Sequence, residues 1–126
     1  MNSEKIVDKP TLPSKIPLGN GRLIYVAGRY RAKTDTEKAE NIWHAIKIAV
    51  KLWEKNWFCF CPHANTAHFD VYSSLPSEVY LKGGLAFLEK CDAIFLLKGY
   101  ETSAGAMCEL ELAKKLNLEI YFEDGR

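Results

Sequence analysis

The sequence predicts an α/β domain in which helices cover both faces of a parallel sheet. Four short apolar runs have the length and content of buried strands, and helical patterns separate them. The resulting order, β-α-β-α-β-α-β, is typical of parallel sheets with crossover helices. With 126 residues, of which 48% are hydrophobic and 26% charged, the chain suffices for one domain with a core. We therefore predict a three-layer, doubly wound sheet of the flavodoxin-like or Rossmann-like type, with strand order 2-1-3-4.

Residues 1–21 are predicted to be a flexible, proline-containing arm outside this domain, which comprises residues 22–126. Three prolines fall within positions 10–17, and proline removes a backbone donor that helices and sheets both need. Ile16 and Leu18 are the residues of this arm that could dock on a neighbour.

The first strand is predicted at Leu23–Ala27, where Gly28 ends it. Thr34 and Glu37 have the spacing of a capping box, so a helix begins after Thr34. Apolar residues at steps of three and four give this helix a face that we predict to be buried. That face consists of Ala39, Ile42, Trp43, Ile46, Ala49, Val50 and Trp53. Both tryptophans are therefore interpreted as core residues.

The second strand is predicted at Trp57–Cys61 and ends at Pro62. Residues 63–78 are read as one long irregular segment, and loops of this length tend to be functional or mobile. Polar residues in this segment follow a strand end, where a substrate would be met. They are His63, Asn65, His68 and Asp70.

A further helix is predicted at Ser77–Lys90, and the glycine pair Gly83-Gly84 interrupts it. The pair would serve close packing, a kink or room for a ligand. The positions expected to face inward are Val79, Leu81, Leu85, Leu88 and Cys91. The third strand is then expected at residues 93–97 and the fourth at residues 118–122. Between them lies a helix that starts at Ser103, in which Glu111 is expected to pair with Lys115.

Two strand ends meet in the predicted sheet, because strands one and three are neighbours in a 2-1-3 order. The crevice between such strands is where open α/β sheets bind ligands. After the first strand come three cations, Arg29, Arg31 and Lys33. After the third strand comes the helix start at Ser103 and Gly105, whose exposed amides favour an anion. This combination indicates a phosphate or nucleotide ligand.

Glu109 lies one and a half turns inside the same helix, at the edge of its apolar stripe. It is either a catalytic carboxylate or a partly exposed helix residue. A single carboxylate near a sugar would suit nucleophilic displacement at an anomeric carbon.

Composition excludes several functional classes. The net charge of +1 gives no reason to expect a nucleic acid or an anionic membrane as partner. No apolar run approaches the roughly 20 residues that span a bilayer, and the N-terminus lacks a signal-peptide core. The four cysteines form no C-x-x-C pair, so a site built from Cys59, Cys61, His63 and His68 has little support. We expect no metal, no cofactor and a cytoplasmic protein with reduced thiols.

Several motifs in order along the chain match a known group. They are Ile24-Tyr25-Val26-Ala27-Gly28 with Arg31, Pro62-His63, Cys91-Asp92-Ala93-Ile94, and Ser103 to Leu110 in the pattern S-x-G-x-x-x-E-L. Through these motifs residues 22 to about 123 resemble the nucleoside 2-deoxyribosyltransferase-like superfamily. The sequence is most similar to the small phage and bacterial members of unknown function in that group.

The resemblance implies an N-glycosidase or 2-deoxyribosyltransferase that acts on a nucleoside or nucleoside 5′-monophosphate. It implies that Glu109 is the nucleophile, which forms a glycosyl-enzyme intermediate, and that Tyr25 lies near it. It also implies that Ser103 and Arg31 hold a 5′-phosphate, and that a neighbouring subunit of a homo-oligomer completes the pocket.

One position departs from the pattern of the active enzymes in that group. They carry an Asp that assists departure of the base where this chain has Gly84, and such assistance is worth about 10²- to 10⁴-fold. Asp70 or His68 would then have to substitute for it. The alternative is a non-catalytic nucleotide- or nucleoside-binding module. Arg29 also stands where the monophosphate hydrolases have a serine, which changes the detail of the phosphate site.

Overall fold

The computed structural model of the protein describes residues 12–13 and 16–125. Its sheet has four parallel strands in the order β2-β1-β3-β4. The strands are β1 (Leu23–Ala27), β2 (Phe58–Phe60), β3 (Ala93–Leu96) and β4 (Glu119–Phe122). The predicted doubly wound fold and the strand order 2-1-3-4 are thus confirmed.

In the described part of the chain, five α-helices accompany the strands. They are α1 (Asp35–Glu54), α2 (Pro62–Asn65), α3 (Phe69–Tyr72), α4 (Ser77–Leu88) and α5 (Ala104–Lys115). A 3₁₀ turn, Tyr100–Thr102, precedes α5. No helix of the described residues is both long and apolar enough to cross a membrane.

Two hydrophobic cores lie on opposite faces of the sheet, because side chains alternate along each strand. On one face, Ile24 and Val26 pack with the buried side of α1. On the other face, Tyr25 and Ala27 pack with α4 and α5. In register, Tyr25 of the central strand β1 lies between Phe60 of β2 and Ile94 of β3. Any group held by Tyr25 is therefore on the α4–α5 side.

Helix α1 begins where the sequence predicts. The Thr34 hydroxyl oxygen accepts a hydrogen bond from the Glu37 backbone N–H at 3.1 Å, and the hydroxyl donates to the Glu37 carboxylate at 3.3 Å. This arrangement satisfies one of the amides that a helix start leaves unpaired.

The buried face of α1 differs from the prediction. Trp43 and Trp53 are 61% and 53% exposed, and Val50 is also exposed. The buried residues are Ile42, Ala45, Ile48, Ala49 and Leu52. These positions also recur at steps of three and four, so periodicity alone fits either face. The sheet packs against the face with two alanines, and the interpretation of the tryptophans as core residues is wrong.

The segment after β2 is more regular than expected. Residues predicted to be irregular form the short helices α2 and α3, and Pro62 opens α2 at a position where its missing N–H costs nothing. Val79 was expected to face inward but is exposed in α4. In α5, Glu111 pairs with Lys114 at 3.6 Å, three residues on, instead of with Lys115. Both spacings bring side chains together on one helix face.

The predicted arm, residues 1–21, lies mostly outside the described residues. Its described end packs against the domain itself. Ile16 is buried in the core on the α1 side, and the Trp57 indole N–H donates to the Pro17 carbonyl at 3.0 Å. Leu18, in contrast, is exposed.

Alanine substitutions in α1 test which face is buried. We expect Ile48→Ala to lower the free energy of unfolding by about 2–5 kcal/mol, because Ile48 has no solvent exposure and the change leaves a cavity. Trp43→Ala, in the same helix, should change it by no more than about 0.5 kcal/mol. Urea unfolding monitored by circular dichroism measures both values. A larger loss for Trp43→Ala than for Ile48→Ala would contradict this assignment of the faces.

Candidate functional site

A buried tyrosine–glutamate pair connects the central strand to helix α5. Tyr25 has 0% exposed surface, and Glu109 has 9%. The Tyr25 hydroxyl donates a short hydrogen bond to Glu109 Oε2. Of the two readings of Glu109 that the sequence allows, the partly exposed helix residue is therefore wrong. A buried carboxyl held by one donor among the described residues needs a specific explanation, because burial of a charge is costly.

Burial raises the pKa of the Glu109 carboxyl to about 7, and the hydrogen bond from Tyr25 acts in the opposite direction. Burial also raises the pKa of the Tyr25 phenol, and the charge and hydrogen bond of Glu109 raise it further. Near neutral pH the carboxyl is therefore close to half ionised while the phenol keeps its proton. A carboxyl shifted in this way is a common property of functional sites.

Gly84 of α4 lies directly against this pair. A Cβ atom added at Gly84 would lie 2.5 Å from the Tyr25 hydroxyl oxygen and 3.4 Å from Glu109 Oε2. A Cβ added at Gly83 would have no neighbour within 4 Å. Of the three roles open to the glycine pair, the structure shows close packing at Gly84.

Ser103 caps the start of α5. Its hydroxyl oxygen accepts a hydrogen bond from the Ala106 backbone N–H at 3.1 Å. The hydroxyl proton remains available to a ligand, and the helix start favours an anion. A Cβ added at Gly105 would make only ordinary contacts, with Leu81 at 3.8 Å and with Ser103 Oγ at 3.9 Å. Close packing therefore does not require glycine at position 105.

The turn after β1 reaches toward the turn after β3. Gly28 packs against Leu97, whose Cδ1 would lie 2.6 Å from a Cβ at position 28. The Arg29 side chain lies beside Gly99, with its Cδ 3.3 Å from the position of a Cβ there. Arg31 is exposed and has no hydrogen bond or ion pair with any described residue. The Arg29 side chain therefore lies at the crevice between the two strands, and no hydrogen bond or ion pair to another described residue fixes that of Arg31.

His63 makes a hydrogen bond to the backbone of the turn after β1. It is 95% buried, with 5% of its surface exposed, and its Nε2 lies 2.7 Å from the Arg29 carbonyl oxygen. Burial lowers the pKa of His63, so the ring is neutral and Nε2–H donates to the carbonyl. Nδ1 has no hydrogen-bond partner among the described residues. Among the described residues, His63 therefore orients the Arg29 backbone and makes no hydrogen bond or ion pair with Glu109.

Asp70 contacts α1, and Asp70 and the His68 backbone both contact Tyr30 in the turn after β1; no hydrogen bond or ion pair among the described residues joins either of them to Glu109. The Asp70 carboxylate pairs with Lys38 at 3.1 Å and accepts from the Tyr30 hydroxyl at 3.5 Å. The His68 backbone N–H donates to the same hydroxyl at 3.1 Å. Lys38 lowers the pKa of Asp70. Sequence reasoning missed Tyr30 and Lys38; the tyrosine between two arginines was the available signal.

Other parts of the molecule hold the remaining candidates. No group of three or more His, Cys, Asp or Glu side chains in the described part of the chain is arranged to hold a metal. A cavity of about 350 Å³ lies between α1 and β2 and does not include Glu109. Its lining includes Ile46, Val50, Trp53, Cys59 and Asn65.

Comparison with known families places this domain. The family described as "Domain of unknown function (DUF4406)" matches residues 22–122, which is most of the chain. The chain belongs to this family. The DUF4406 match begins just before β1 and ends with β4, so it includes Tyr25, Gly84 and Glu109 and leaves out the N-terminal segment. No functionally curated protein matches the sequence.

The raised pKa of Glu109 predicts how stability depends on pH. The pKa of Glu109 is about 7 in the folded protein, whereas the ordinary value for a glutamate, which applies to the unfolded chain, is 4.5. The folded state therefore binds the proton more tightly than the unfolded state. Stability from this group is fully present below about pH 4.5 and is lost as the pH rises through 7. The loss is on the order of 3 kcal/mol. Glu109→Gln removes this titration, so its stability relative to wild type should increase between pH 5 and pH 8.

Urea unfolding at a series of pH values measures this difference. Glu111→Gln, at an exposed position of the same helix, is the matched control and should follow the wild-type pH dependence. If Glu109→Gln also followed it, the carboxyl would not titrate near neutral pH.

Proposed function

We propose that this DUF4406 protein is an N-glycosidase or 2-deoxyribosyltransferase for nucleosides or nucleoside 5′-monophosphates, with Glu109 as nucleophile. The observation that carries the proposal is the buried Glu109 carboxyl, held by the Tyr25 hydroxyl. The motif resemblance adds to it, because Glu109 and Tyr25 stand where that superfamily has its nucleophile and the neighbouring tyrosine. The description of the DUF4406 family names no activity.

In the proposed reaction, a Glu109 oxygen forms a bond to the anomeric carbon of the sugar as the bond from that carbon to the base nitrogen breaks. The base leaves with the electron pair and takes a proton from solvent. Tyr25 holds Oε2, which leaves Oε1 for attack. Water, or a nitrogen of a second base, then attacks the anomeric carbon and loses a proton to solvent, and the bond from that carbon to the Glu109 oxygen breaks to release the carboxylate. A pKa of about 7 keeps a large fraction of the nucleophile ionised at neutral pH.

The phosphate of a 5′-monophosphate would bind at the start of α5. Support comes from the Ser103 hydroxyl, the exposed amides of the helix start and the Arg29 side chain beside Gly99. Arg31 is exposed and unpaired among the described residues, so it is available to a phosphate at little cost. Gly105 and Gly28 supply backbone at the same edge of the sheet.

A binding module without turnover is the second candidate function, and Gly84 favours it. This position carries no carboxylate to assist the leaving base. Asp70 does not stand in for one, since Lys38 and Tyr30 hold it at α1. The two functions share one site and differ in whether the base is released.

The proposal includes a cytoplasmic homo-oligomer. The four free cysteines suit a reducing compartment. Exposed apolar side chains in α3, in the segment after it and at the start of α4 support subunit contact, because exposed apolar surface often marks an interface. These residues are Phe69, Val71, Tyr72, Leu75 and Val79.

Base release from a panel of nucleosides and nucleoside 5′-monophosphates tests the reaction. We expect wild-type protein to release the base from at least one of them, measured by liquid chromatography. Glu109→Ala should lower the rate by about 10³-fold or more, because the variant lacks the nucleophile. Glu111→Ala, exposed on the same helix, should retain the wild-type rate.

Two outcomes would decide against the enzyme as proposed. Base release that survives Glu109→Ala would contradict a covalent intermediate on this residue. Tight nucleotide binding by calorimetry without base release from any compound would favour the binding module.

The phosphate site makes a separate prediction. Arg31→Ala should weaken binding of a 5′-monophosphate by about 10- to 100-fold, the value of a hydrogen bond to a charged group. Binding of the corresponding nucleoside should change little. Lys47→Ala, exposed on α1, is the control, and calorimetric titration measures each affinity. Equal weakening of nucleoside and monophosphate would remove Arg31 from the phosphate site.

A further inference from the structure

We infer that Gly84 is a positioning residue, which acts by leaving room for the Tyr25 hydroxyl to bind the Glu109 carboxylate. As a statement about catalysis, the inference rests on the proposed function. As a statement about the Tyr25–Glu109 pair, it stands on geometry alone. It also gives a physical meaning to the position where this chain departs most from the active enzymes that it resembles.

The structure has no space for a side chain at Gly84. A Cβ there would approach the Tyr25 hydroxyl oxygen to 2.5 Å, closer than real Cβ atoms come to any neighbour. Something must move to admit a side chain. Because Gly84 is buried within α4, the helix cannot simply turn this position to solvent.

The Tyr25 phenol has little freedom to keep its hydrogen bond to Glu109 after such a move. Tyr25 lies on the central strand with no exposed surface. Its ring packs against Phe60 of β2, with centroids 5.7 Å apart. Ile94 of β3 lies beside it in register. Displacement of the hydroxyl by a Cβ would therefore stretch or break its bond to Glu109.

Loss of this hydrogen bond would raise the pKa of the Glu109 carboxyl. Burial disfavours the ionised form of Glu109, and the Tyr25 hydroxyl favours it. The titratable groups that act on Tyr25 are Glu109 itself and the thiols of Cys91 and Cys61, and burial raises the pKa of both thiols, which keeps them neutral. No basic side chain of the described residues makes a hydrogen bond or ion pair with Glu109. The Tyr25 hydroxyl is thus the one side-chain donor to Glu109 in the described structure, and Gly84 determines whether it can reach the carboxylate.

It follows that an Asp at position 84 does not fit this site as it stands. Its Cβ would clash with the Tyr25 hydroxyl oxygen at 2.5 Å, and its carboxylate would extend from a position only 3.4 Å from Glu109 Oε2. Like charges at such distances disfavour ionisation of one or both groups. The site is therefore organised around glycine at 84 and has not merely lost an acid there.

Gly84→Ala and Gly83→Ala form a matched pair for the test. Both replace a glycine of α4 with alanine, but only the first meets the Tyr25 hydroxyl. Carboxyl-labelled glutamate and ¹³C NMR, with Glu109→Gln for assignment, measure the titration midpoint of Glu109. We expect Gly84→Ala to raise the midpoint by about 1–2 pH units, the value of a lost hydrogen bond to a charged group. Gly83→Ala should leave it unchanged.

Tyr25→Phe supplies the second variant. Without the hydroxyl, the nearest neighbours of a Cβ at position 84 lie at 3.4 and 3.8 Å, which ordinary packing tolerates with little adjustment. We expect Tyr25→Phe to raise the Glu109 midpoint, and Gly84→Ala to add nothing in that background. The two effects are then strongly non-additive. If Gly84→Ala alone does not fold, the double variant should fold.

Three results would overturn the inference. They are an unchanged midpoint in Gly84→Ala, a shift from Gly84→Ala that persists in the Tyr25→Phe background, and failure of the double variant to fold when Tyr25→Phe alone folds. Each would show that the hydroxyl is not what position 84 accommodates.

Activity measurements separate this inference from the proposed function. In Gly84→Ala, the acid limb of the pH–rate profile for base release should move to higher pH, in step with the NMR midpoint. Gly84→Asp should not increase base release. An increase would contradict the inference that the site is organised around glycine at position 84. Absence of base release from wild-type protein would count against the proposed function, and the NMR result would still decide the role of Gly84.

Discussion

The hydrogen bond from the Tyr25 hydroxyl to the Glu109 carboxylate is the constraint on which the rest of the site depends. It joins the central strand β1 to helix α5 across one core of the domain. Burial of both residues makes the bond difficult to replace, since neither group could turn to water instead. Gly84 completes the arrangement because it brings no atom into the space that the hydroxyl occupies.

The parallel sheet decides which groups surround this bond. With β1 and β3 adjacent, the turn that carries Arg29 lies beside Gly99, ahead of the α5 start. His63 holds that turn by its backbone, and Tyr30, Asp70 and Lys38 connect the segment after β2 to α1. The polar residues of that segment therefore contact the turn after β1 and helix α1, while the Glu109 carboxylate lies among α4, α5 and β1.

Much of this architecture can be read from the sequence, because its signals are local. Buried strands are short apolar runs, Thr34 and Glu37 mark a helix start, and the alternation of elements implies a parallel sheet. The buried face of α1 is a different case, because two sets of positions share the helical period. Packing against the sheet selected the set with Ala45 and Ala49 and left Trp43 and Trp53 at the surface.

The sequence by itself determined the fold and the strand order. Only the tertiary structure decided the state of Glu109, since its pKa depends on burial and on a hydroxyl 84 residues away in the chain. The same is true of Gly84, which as a sequence feature was compatible with a kink, a ligand or close packing. Its neighbours in space, Tyr25 and Glu109, come from elements far from it in the chain, and no local pattern records such a contact.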